Sequence, residues 1–490
     1  MRFLLDTNIL IPLEDSALPL RENLANFVRL ANEHGHPLIY HPASEEDIAE
    51  DRDETRRLNT LQRLKQYTRL DHRPVCPWNT PTTKRNDAVD NEILYALSLH
   101  AAAALVTEDR GIHDKAKALG LVDKVYTIQT AEDQLLRLHE SVSVALPNIE
   151  EVPLYQLTPQ LSSHFFDSLR LAYERFDTWF ESKAEEGRRA WVHWHRPGEL
   201  GGICIFARQE NELIAEGRRL EGAALKLATF KVGDTSRGRK VGELFLKAAF
   251  QYATKNRLEN IFIHGDEEQH YFLFKLLQEF GFEHVGFHPG SDSGDAVYLK
   301  RHPEAPPVDN RPPFEYLKAF FPHFRTDREI GKFVIPIQPG YHDILFPDFV
   351  GSAGSQTQLF RTENQAGNAI KMAYLCYANT KQILPGDIVL FYRSADEQAI
   401  TTFGIVESCE TLTDSESIVA RVKRRTVYSQ EEIDDMAKKP TKVILFRIVC
   451  HFRRPPRLAE LKANGVLRGA PQSIARLSHE NFQTLVSLGG

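Results

Sequence analysis

The feature that most constrains the fold is an alternation of short apolar strands with helical segments in the first 130 residues. The strand-like runs are residues 3–5, 38–40, 104–107 and 125–128. Helical patterns separate them, including residues 45–70 and 88–101. Such alternation predicts a parallel sheet covered by helices, whose ligands bind at the carboxyl ends of the strands.

Length and proline content predict more than one domain. A chain of 490 residues corresponds to about three domains. The stretch 303–313 contains five prolines and predicts an extended linker, and a softer boundary lies within 141–157. We therefore predict segments 1–140, 150–302 and 314–490, with the linker at 303–313.

Composition excludes several classes of protein. The chain is 42% hydrophobic and 26% charged, which excludes global disorder. A net charge of −7 argues against coating DNA by bulk charge but leaves a local basic face open. The five scattered cysteines contain no C-x-x-C pair, which favours a reducing compartment. With no signal peptide and no long apolar run, we expect a cytoplasmic protein that does not bind membranes.

Acidic residues occur at the carboxyl ends of the predicted strands and at the starts of the predicted helices. They are Asp6, Glu45, Glu46, Asp47, Asp87, Asp90 and Asp109. Converging carboxylates repel one another unless a cation joins them, and oxygen ligands suit Mg²⁺ or Mn²⁺, which can orient water at a phosphodiester. Capping is the alternative for each acid, because Asp47 stands three residues after Ser44 in capping-box spacing, and Asp87 and Asp90 have the same spacing.

The motifs FLLDTNIL, Asp90-x-x-Ile93-Leu94 and LVTED resemble the PIN domain, the ribonuclease fold of many bacterial toxins, over residues 1–135. The resemblance implies Mg²⁺- or Mn²⁺-dependent hydrolysis of RNA. It places the catalytic and metal-binding acids at Asp6, Asp47, Asp90 and Asp109, with Asn8 and Thr107 as neighbours. Glu46 remains an alternative to Asp47.

A strand, a basic turn and a helix follow one another in the middle segment. The turn reads Arg237-Gly238-Arg239-Lys240, and the apolar positions from Val241 onward have helical spacing. Free N–H groups at a helix N-terminus, together with three cations, predict an anion-binding turn. The alternative is a basic, solvated turn that only caps the helix.

The order of elements over residues 155–301 resembles the GNAT acetyltransferases. The resemblance implies that acetyl-CoA binds along the strand 227–232 and at the turn that follows it. The cofactor-binding residues that the resemblance implies are Phe230, Val232, Arg237, Gly238, Arg239, Lys240 and Gly242, of which Arg237 and Gly242 match the two ends of the family's phosphate motif. Lys240 replaces the middle glycine of the family motif, and Leu277 stands where the family often has a tyrosine acid. His264, Glu267 and Glu268 are candidate general bases by location.

The last segment contains four strand-like runs, at residues 383–394, 401–412, 417–428 and 442–452, which predict a compact barrel with flanking helices. The run L-x-G-D-x-V-x-F-Y resembles the PUA-like superfamily, which includes the ASCH and EVE domains, and implies RNA or modified nucleotides as ligands. Basic clusters lie at Arg421, Lys423, Arg424 and Arg425 and at Arg453, Arg454 and Arg457. Phe391 and Tyr392 could stack on bases or face the core, and the cations could instead protect a strand edge.

These patterns predict a multidomain α/β protein that combines a PIN-like parallel sheet with helices, a GNAT-like α/β domain and a PUA-like β-barrel. The predicted function is a metal-dependent ribonuclease joined to an acyltransferase and an RNA-binding module, by analogy a toxin or defence protein with an antitoxin partner. One alternative is an acetyltransferase that modifies an amine of RNA, tRNA or protein, with the PIN domain as scaffold. Another is an RNA-binding regulator without enzymatic activity.

Overall fold

The computed structural model describes residues 1–14, 21–51, 53–78, 85–139, 149–196, 198–236, 240–290, 294–349, 370–380, 382–422, 425 and 428–489. The chain forms two compact units. Unit 1 consists of Met1–Val144 and Thr411–Val443, and unit 2 of Ala145–Glu410 and Ile444–Gly490. Residues from the third predicted segment thus occur in both units, and the division at the proline-containing linker stays a prediction.

The first part of the chain alternates strands and helices. Its elements are β1 (Phe3–Leu5), α1 (Thr7–Glu14), α2 (Glu22–Glu33), β2 (Leu38–Tyr40), α3 (Pro42–Ala49), α4 (Glu54–Arg63), β3 (Thr68–Arg69), α5 (Arg85–Ser98), β4 (Ala104–Val106), α6 (Arg110–Ala118), β5 (Val125–Tyr126) and α7 (Ile128–His139). The helical pattern predicted over 45–70 is interrupted, because α3 and α4 are separate helices and the strand β3 follows them.

The middle part contains most of the long strands. Its elements are β6 (Glu150–Pro153), α8 (Asp167–Ala172), α9 (Phe176–Glu185), β7 (Arg189–Arg196), β8 (Glu199–Glu210), β9 (Leu213–Ala215), β10 (Arg218–Arg219), β11 (Ala223–Val232), α10 (Val241–Lys255), β12 (Asn260–Gly265), α11 (Tyr271–Glu279), β13 (Glu283–Phe287) and β14 (Ala296–Arg301).

The last part mixes strands with short helices. Its elements are α12 (Pro313–Phe320), β15 (Lys332–Ile337), α13 (Pro339–Leu345), β16 (Lys371–Cys376), β17 (Ile388–Arg393), β18 (Ala399–Leu412), α14 (Ser415–Val422), α15 (Gln430–Met436), β19 (Thr441–His451), α16 (Leu458–Ala463), β20 (Ala475–Arg476) and α17 (His479–Gly489).

Unit 1 is built on a five-stranded sheet in the order β3-β2-β1-β4-β5. All four pairings are parallel, as the alternation of elements predicts. The strands β1, β2 and β4 are fully apolar and buried, because helices cover both faces of a parallel sheet. The strand order reverses between β1 and β4, and this switch point is where ligands of such sheets bind.

The middle part forms a seven-stranded mixed sheet in the order β13-β14-β12-β11-β8-β7-β6. Its one parallel pair is β11 with β12, and this pairing runs from Ala224 opposite Asn260 to Leu227 opposite Ile263. Beyond that point β11 stays paired with β8 after a register shift between Leu227 and Thr229. Within the described residues, β11 therefore pairs with β12 only along its first half, and the two strands separate beyond Leu227.

The last sheet has six strands in the order β16-β19-β18-β17-β15-β20. Its described residues form an open order with β16 and β20 at the edges, so the closed barrel that was predicted is not seen there. The strand predicted at 417–428 is wrong in its first half, because Ser415–Val422 is the helix α14. Ile418, Val419 and Val422 are buried on one side of that helix, so helical packing of apolar residues overrides their β propensity.

One hydrophobic core in unit 2 spans the predicted linker. It joins Phe245 and Leu277 of the seven-stranded part to Leu317, Ile370 and Leu390 of the last part. The two parts therefore share buried apolar surface instead of forming independent cores. No helix among the described residues combines the length and the apolar composition that crossing a lipid bilayer requires.

Candidate functional site

An acidic group occupies the switch point of the parallel sheet in unit 1. Asp6 follows β1 and is 6% exposed, and its carboxylate accepts hydrogen bonds from the backbone N–H of Thr7 at 2.8 Å and the hydroxyl of Thr107 at 2.7 Å. Burial raises the pKa of Asp6 to about 7, and the charges of Asp90 and Asp109 contribute to the increase. These three predicted site residues therefore act on one another electrostatically.

The other acids of this group already have partners within the protein. The Lys115 ammonium donates to Asp90 at 2.8 Å and to Asp87 at 3.0 Å. The Asp109 carboxylate accepts from the backbone N–H of Ile112 at 3.1 Å and caps α6. Capping therefore accounts for Asp109 in part, and an ion pair with lysine accounts for Asp90 in part.

Asp47 lies on α3, and the acids whose charges act on Asp6 are Asp90 and Asp109. The predicted capping box that starts at Ser44 is wrong, because the helix begins at Pro42 and His41 accepts from the N–H of Ala43 at its N-cap. Glu46 pairs with Arg73 at 2.5 Å. The sequence assigned Asp6, Asp47, Asp90 and Asp109 to one site, and the charges that act on Asp6 are those of Asp90 and Asp109. The site of four acids stays a prediction.

Whether these acids can hold a divalent cation depends on their chemical type and on their geometry. Carboxylate oxygens are suitable ligands for Mg²⁺ or Mn²⁺ in chemical type. Within the described residues, however, no three side chains of His, Cys, Asp or Glu converge closely enough to hold a metal ion. The Lys115 ammonium also supplies a positive charge beside Asp90. The arrangement therefore does not fit a divalent cation as it stands, and we derive no chemical step through one.

A second candidate site lies in unit 2 where β11 leaves β12. Residues Thr229 to Val232 extend beyond the parallel pairing, while their other edge remains bonded to β8. Phe230 and Val232, both predicted to contact a cofactor, lie in this extended part and are partly buried. Backbone N–H and C=O groups next to such a gap can pair with an extended, amide-containing ligand.

Along the chain, the N-terminus of α10 follows the part of β11 that borders this gap. Its N-cap residue, Lys240, has a left-handed backbone with φ of 60° and makes no side-chain capping bond. The preceding Ser236 is fully buried, and its hydroxyl has no hydrogen-bond partner among the described residues. A methyl group at Gly242 would come within 2.8 Å of Leu276, so glycine is needed for close packing there. Arg237, Gly238 and Arg239 lie outside the described residues.

These features fit acetyl-CoA, because this cofactor contains an amide-bearing chain and phosphate groups. The strand gap matches an amide-bearing chain, and the N-terminus of α10 offers N–H groups to an anion. The Ser236 hydroxyl, which has no hydrogen-bond partner among the described residues, precedes the turn and is buried beside Gly201. Lys240 departs from its predicted role, because its ammonium donates to the carbonyl oxygen of Lys371 at 3.0 Å.

Strand β16 is attached to the beginning of α10. The backbone N–H of Lys371 donates to Glu243 at 3.2 Å, and its ammonium pairs with Glu279 at the end of α11. One turn of helix further along, Lys247 pairs with Asp348 at 2.7 Å. The last part of the chain therefore holds the helix that carries the candidate anion site.

The three candidate general bases of the middle segment differ in their hydrogen-bond partners and in their exposure. His264 Nδ1 lies 3.1 Å from a carboxylate oxygen of Asp295, which is 4% exposed, and the rings of His264 and His288 stack at 4.1 Å. Glu267 instead accepts from the Tyr298 hydroxyl at 2.6 Å, and Glu268 is exposed. His264 is thus the candidate that a buried carboxylate orients.

Sequence reasoning missed two side chains of this site. Asp295 is 31 residues from His264 in sequence, and strand pairing between β12 and β14 brings the two together. The Tyr173 hydroxyl lies 3.9 Å from the position that a Cβ at Gly265 would take. Burial, with the nearby charges of Asp295 and Asp266, raises the pKa of Tyr173 to about 12. No spacing in the sequence signals either residue.

Several residues of the last segment that were predicted to contact RNA are buried or paired with acidic side chains. Phe391 and Tyr392 are fully buried, so they belong to the core and do not offer stacking surfaces. Arg421 pairs with Asp123 inside unit 1, Arg454 with Glu460, and Arg457 with Glu397 at 3.8 Å. Lys423 and Arg424 lie outside the described residues, whereas Arg425 and Arg453 are described. Acidic partners therefore neutralise part of both predicted basic clusters.

No model of a protein family matches the sequence. No curated protein matches it either. Solved structures match parts of the chain. The ASCH protein of Zymomonas mobilis is 19% identical, and the match covers 34% of this chain and 98% of that one with a TM-score of 0.25. A GNAT family N-acetyltransferase from Escherichia coli in complex with CoA is 17% identical, and the match covers 33% of this chain and 85% of that one with a TM-score of 0.24. A histone acetyltransferase HPA2-related protein from Corynebacterium glutamicum is 18% identical over 33% of this chain and 99% of that one, with a TM-score of 0.25.

Proposed function

We propose that unit 2 transfers an acyl group from acetyl-CoA to an amine. The observation that carries this proposal is the departure of β11 from β12 after Leu227, followed by the N-terminus of α10, where the side chain of the N-cap residue Lys240 makes no capping bond. The gap accepts an amide-bearing chain along 229–232, and the helix N-terminus accepts an anion, so both ends of the coenzyme have partners of suitable chemistry. The GNAT-like sequence signals over 155–301 support the same activity.

Acetyl-CoA supplies a thioester that an amine nitrogen can attack when the coenzyme is bound. His264 accepts the proton that the amine loses as its nitrogen bonds to the carbonyl carbon, and Asp295 holds the imidazole in position. With the coenzyme bound, the C–S bond would break and the departing sulfur would take up the proton that His264 received from the amine. Tyr173, whose pKa burial raises to about 12, stays protonated at neutral pH and would donate a hydrogen bond to that sulfur.

Acetyl-CoA binding tests the proposed site directly. We expect calorimetry to show binding by the wild-type protein and an affinity about 10- to 100-fold lower for Arg237→Ala, because a charge-assisted contact to phosphate contributes about 1.5–3 kcal/mol. Arg257→Ala is the matched control. Arg257 is 78% exposed in its side chain and pairs with Glu304 near the other end of α10.

The affinity of Arg257→Ala should equal that of the wild type. Equal loss in both variants would mean that bulk charge, not the turn before α10, determines binding. No measurable binding by the wild-type protein would remove the acyltransferase proposal altogether.

We further infer that unit 1 hydrolyses RNA phosphodiesters. The supporting observation is Asp6, whose buried carboxyl has a pKa of about 7 and lies at the switch point with Asp90 and Asp109. A carboxyl that titrates near neutral pH can accept a proton from water under ordinary conditions. The PIN-like motifs around the same residues support this activity, and the metal requirement stays a prediction from the sequence.

RNA cleavage is the test of this second activity. We expect the wild type to cut a structured RNA, and Asp6→Asn and Asp90→Asn each to lose at least about 100-fold in rate, as removal of an acid–base group does. Asp71→Asn, on an exposed acid of the same unit, should cut as the wild type does. The assay is run with Mg²⁺, with Mn²⁺ and with chelator. Absence of cleavage in all three conditions would contradict the inference.

A further inference from the structure

Unit 1 contains a cleft of about 320 Å³ that neither proposed activity uses. Residues that line it include Arg73, Val75, Trp78, Ala88, Asn91 and Glu92. Small-molecule sites in proteins have volumes of about 300–1,000 Å³, so this cleft has room for one ring system.

The cleft lies beside the acidic group of unit 1. One wall is the extended segment 71–78 that follows β3, and the other is helix α5. Ala88 and Asn91 each come one residue after an acid, Asp87 and Asp90 respectively, so they lie about 100° further around the helix. The same helix therefore presents the acids on one face and the cleft on the adjacent face.

The cleft has an aromatic wall whose orientation is held by packing. The Trp78 ring meets the Tyr95 ring edge-on, with centroids 5.3 Å apart, and packs against the buried cluster around Ile93 and Leu94. Val75 is 89% exposed and Ala88 is exposed, so apolar surface is accessible to solvent beside the ring. A held indole flanked by accessible apolar groups favours a flat, aromatic ligand.

The charged groups of the cleft neutralise each other. The Arg73 guanidinium binds both oxygens of Glu92, at 2.6 and 3.0 Å, and Glu46 at 2.5 Å. These bonds raise the pKa of Arg73, so it remains cationic but has two carboxylates beside it. A phosphate would meet those carboxylates, which disfavours an anionic ligand here.

We propose that this cleft binds a nucleobase by stacking on Trp78. Stacking of bases on aromatic side chains is sequence-tolerant and needs no charge on the ligand. The inference rests on the cleft alone and holds whether or not either proposed activity is found.

Titration of the full-length protein with adenosine, guanosine, cytidine and uridine tests the cleft. We expect dissociation constants on the order of 1 mM, and 5′-monophosphates that bind no more tightly than the nucleosides. Ribose 5-phosphate should not bind, because it lacks the ring. Tighter binding of ribose 5-phosphate than of nucleosides, or no nucleoside binding at all, would overturn the proposal.

Two variants locate the ligand. Ala88→Phe fills the cleft from an exposed helix position without removing a contact, and we expect it to weaken binding at least about 10-fold while the melting temperature stays unchanged. Trp78→Leu should weaken binding about as much, whereas Trp78→Phe should retain most of the affinity because it keeps an aromatic face. Tyr155→Leu, on a 60% exposed aromatic residue of unit 2, is the control and should bind as the wild type does.

An aromatic side chain of a peptide is the alternative ligand for this cleft. N-acetyl-tryptophanamide is the probe for that class. If it binds more tightly than every nucleoside, the cleft is a peptide site and the nucleobase proposal is wrong. If Ala88→Phe and Trp78→Leu both bind nucleosides with wild-type affinity, the ligand sits elsewhere and the assignment fails.

Discussion

Replacing His264 with alanine should lower kcat for acyl transfer by about 10²- to 10⁴-fold, because the amine then has no positioned group to take its proton. The KM for acetyl-CoA should change little, since His264 lies at the end of β12 and not in the turn before α10. The measurement is release of the CoA thiol, with spermidine and poly-L-lysine as amine acceptors.

Asp295 acts through His264 and is a positioning residue. We expect Asp295→Asn to lower kcat by about 10-fold or more while KM for acetyl-CoA stays near its wild-type value, and Asp295→Glu to recover part of the loss because it restores the negative charge. His284→Ala is the control, since His284 is an exposed histidine on the neighbouring strand β13. If His284→Ala loses as much activity as His264→Ala, the assignment of the base is wrong.

Gly281→Ala should destabilise unit 2 by about 2–4 kcal/mol. Gly281 has φ of 82° after α11, where the N–H of Gly281 bonds to Gln278 and that of Phe282 to Leu277. An added methyl group would overlap the carbonyl oxygen of Lys318 and lie 2.8 Å from its carbonyl carbon. Backbone atoms of α12 cannot rotate away as a side chain can, so the cost includes displacement of that helix.

Gly187 provides a matched control for this substitution. It has φ of 74° and the same pair of closing hydrogen bonds after α9, but nothing lies within 4 Å of an added Cβ. Gly187→Ala should therefore cost only about 1–2 kcal/mol, from the left-handed backbone alone. Urea unfolding followed by tryptophan fluorescence measures both values, and equal losses would show that α12 does not constrain Gly281.

Local patterns predicted the elements that depend on local forces. The parallel sheet of unit 1 follows from short apolar runs separated by helices. Asp6 and Asp109 come after the parallel strands β1 and β4, whose carboxyl ends share one edge, whereas Asp90 lies on helix α5, and the charges of both Asp90 and Asp109 act on Asp6. The run 417–428 failed for the opposite reason. Its apolar residues fit a strand or a helix, and packing within unit 1 selected the helix α14.

In the middle segment, too, local elements could be predicted, but a contact between residues distant in sequence could not. Periodicity placed a strand at 227–232 and a helix from Val241, so the helix N-terminus could be predicted. The gap beside the strand was not predicted from periodicity, because it depends on the pairing of β11 with β12. The partner of His264 could not be predicted, because Asp295 reaches it through the pairing of β12 with β14.

The sequence by itself determined the alternation of strands and helices in unit 1, the strand and helix on either side of the basic turn and the acids Asp6 and Asp109 after strands, because side-chain periodicity and backbone propensity are local properties. Only the tertiary structure decided which charges are paired. Lys115 joins Asp90, Lys371 joins Glu279, and Asp295 joins His264, each across at least 25 residues. Ion pairs form wherever folding brings opposite charges within a few ångströms, and no spacing along the chain encodes that distance.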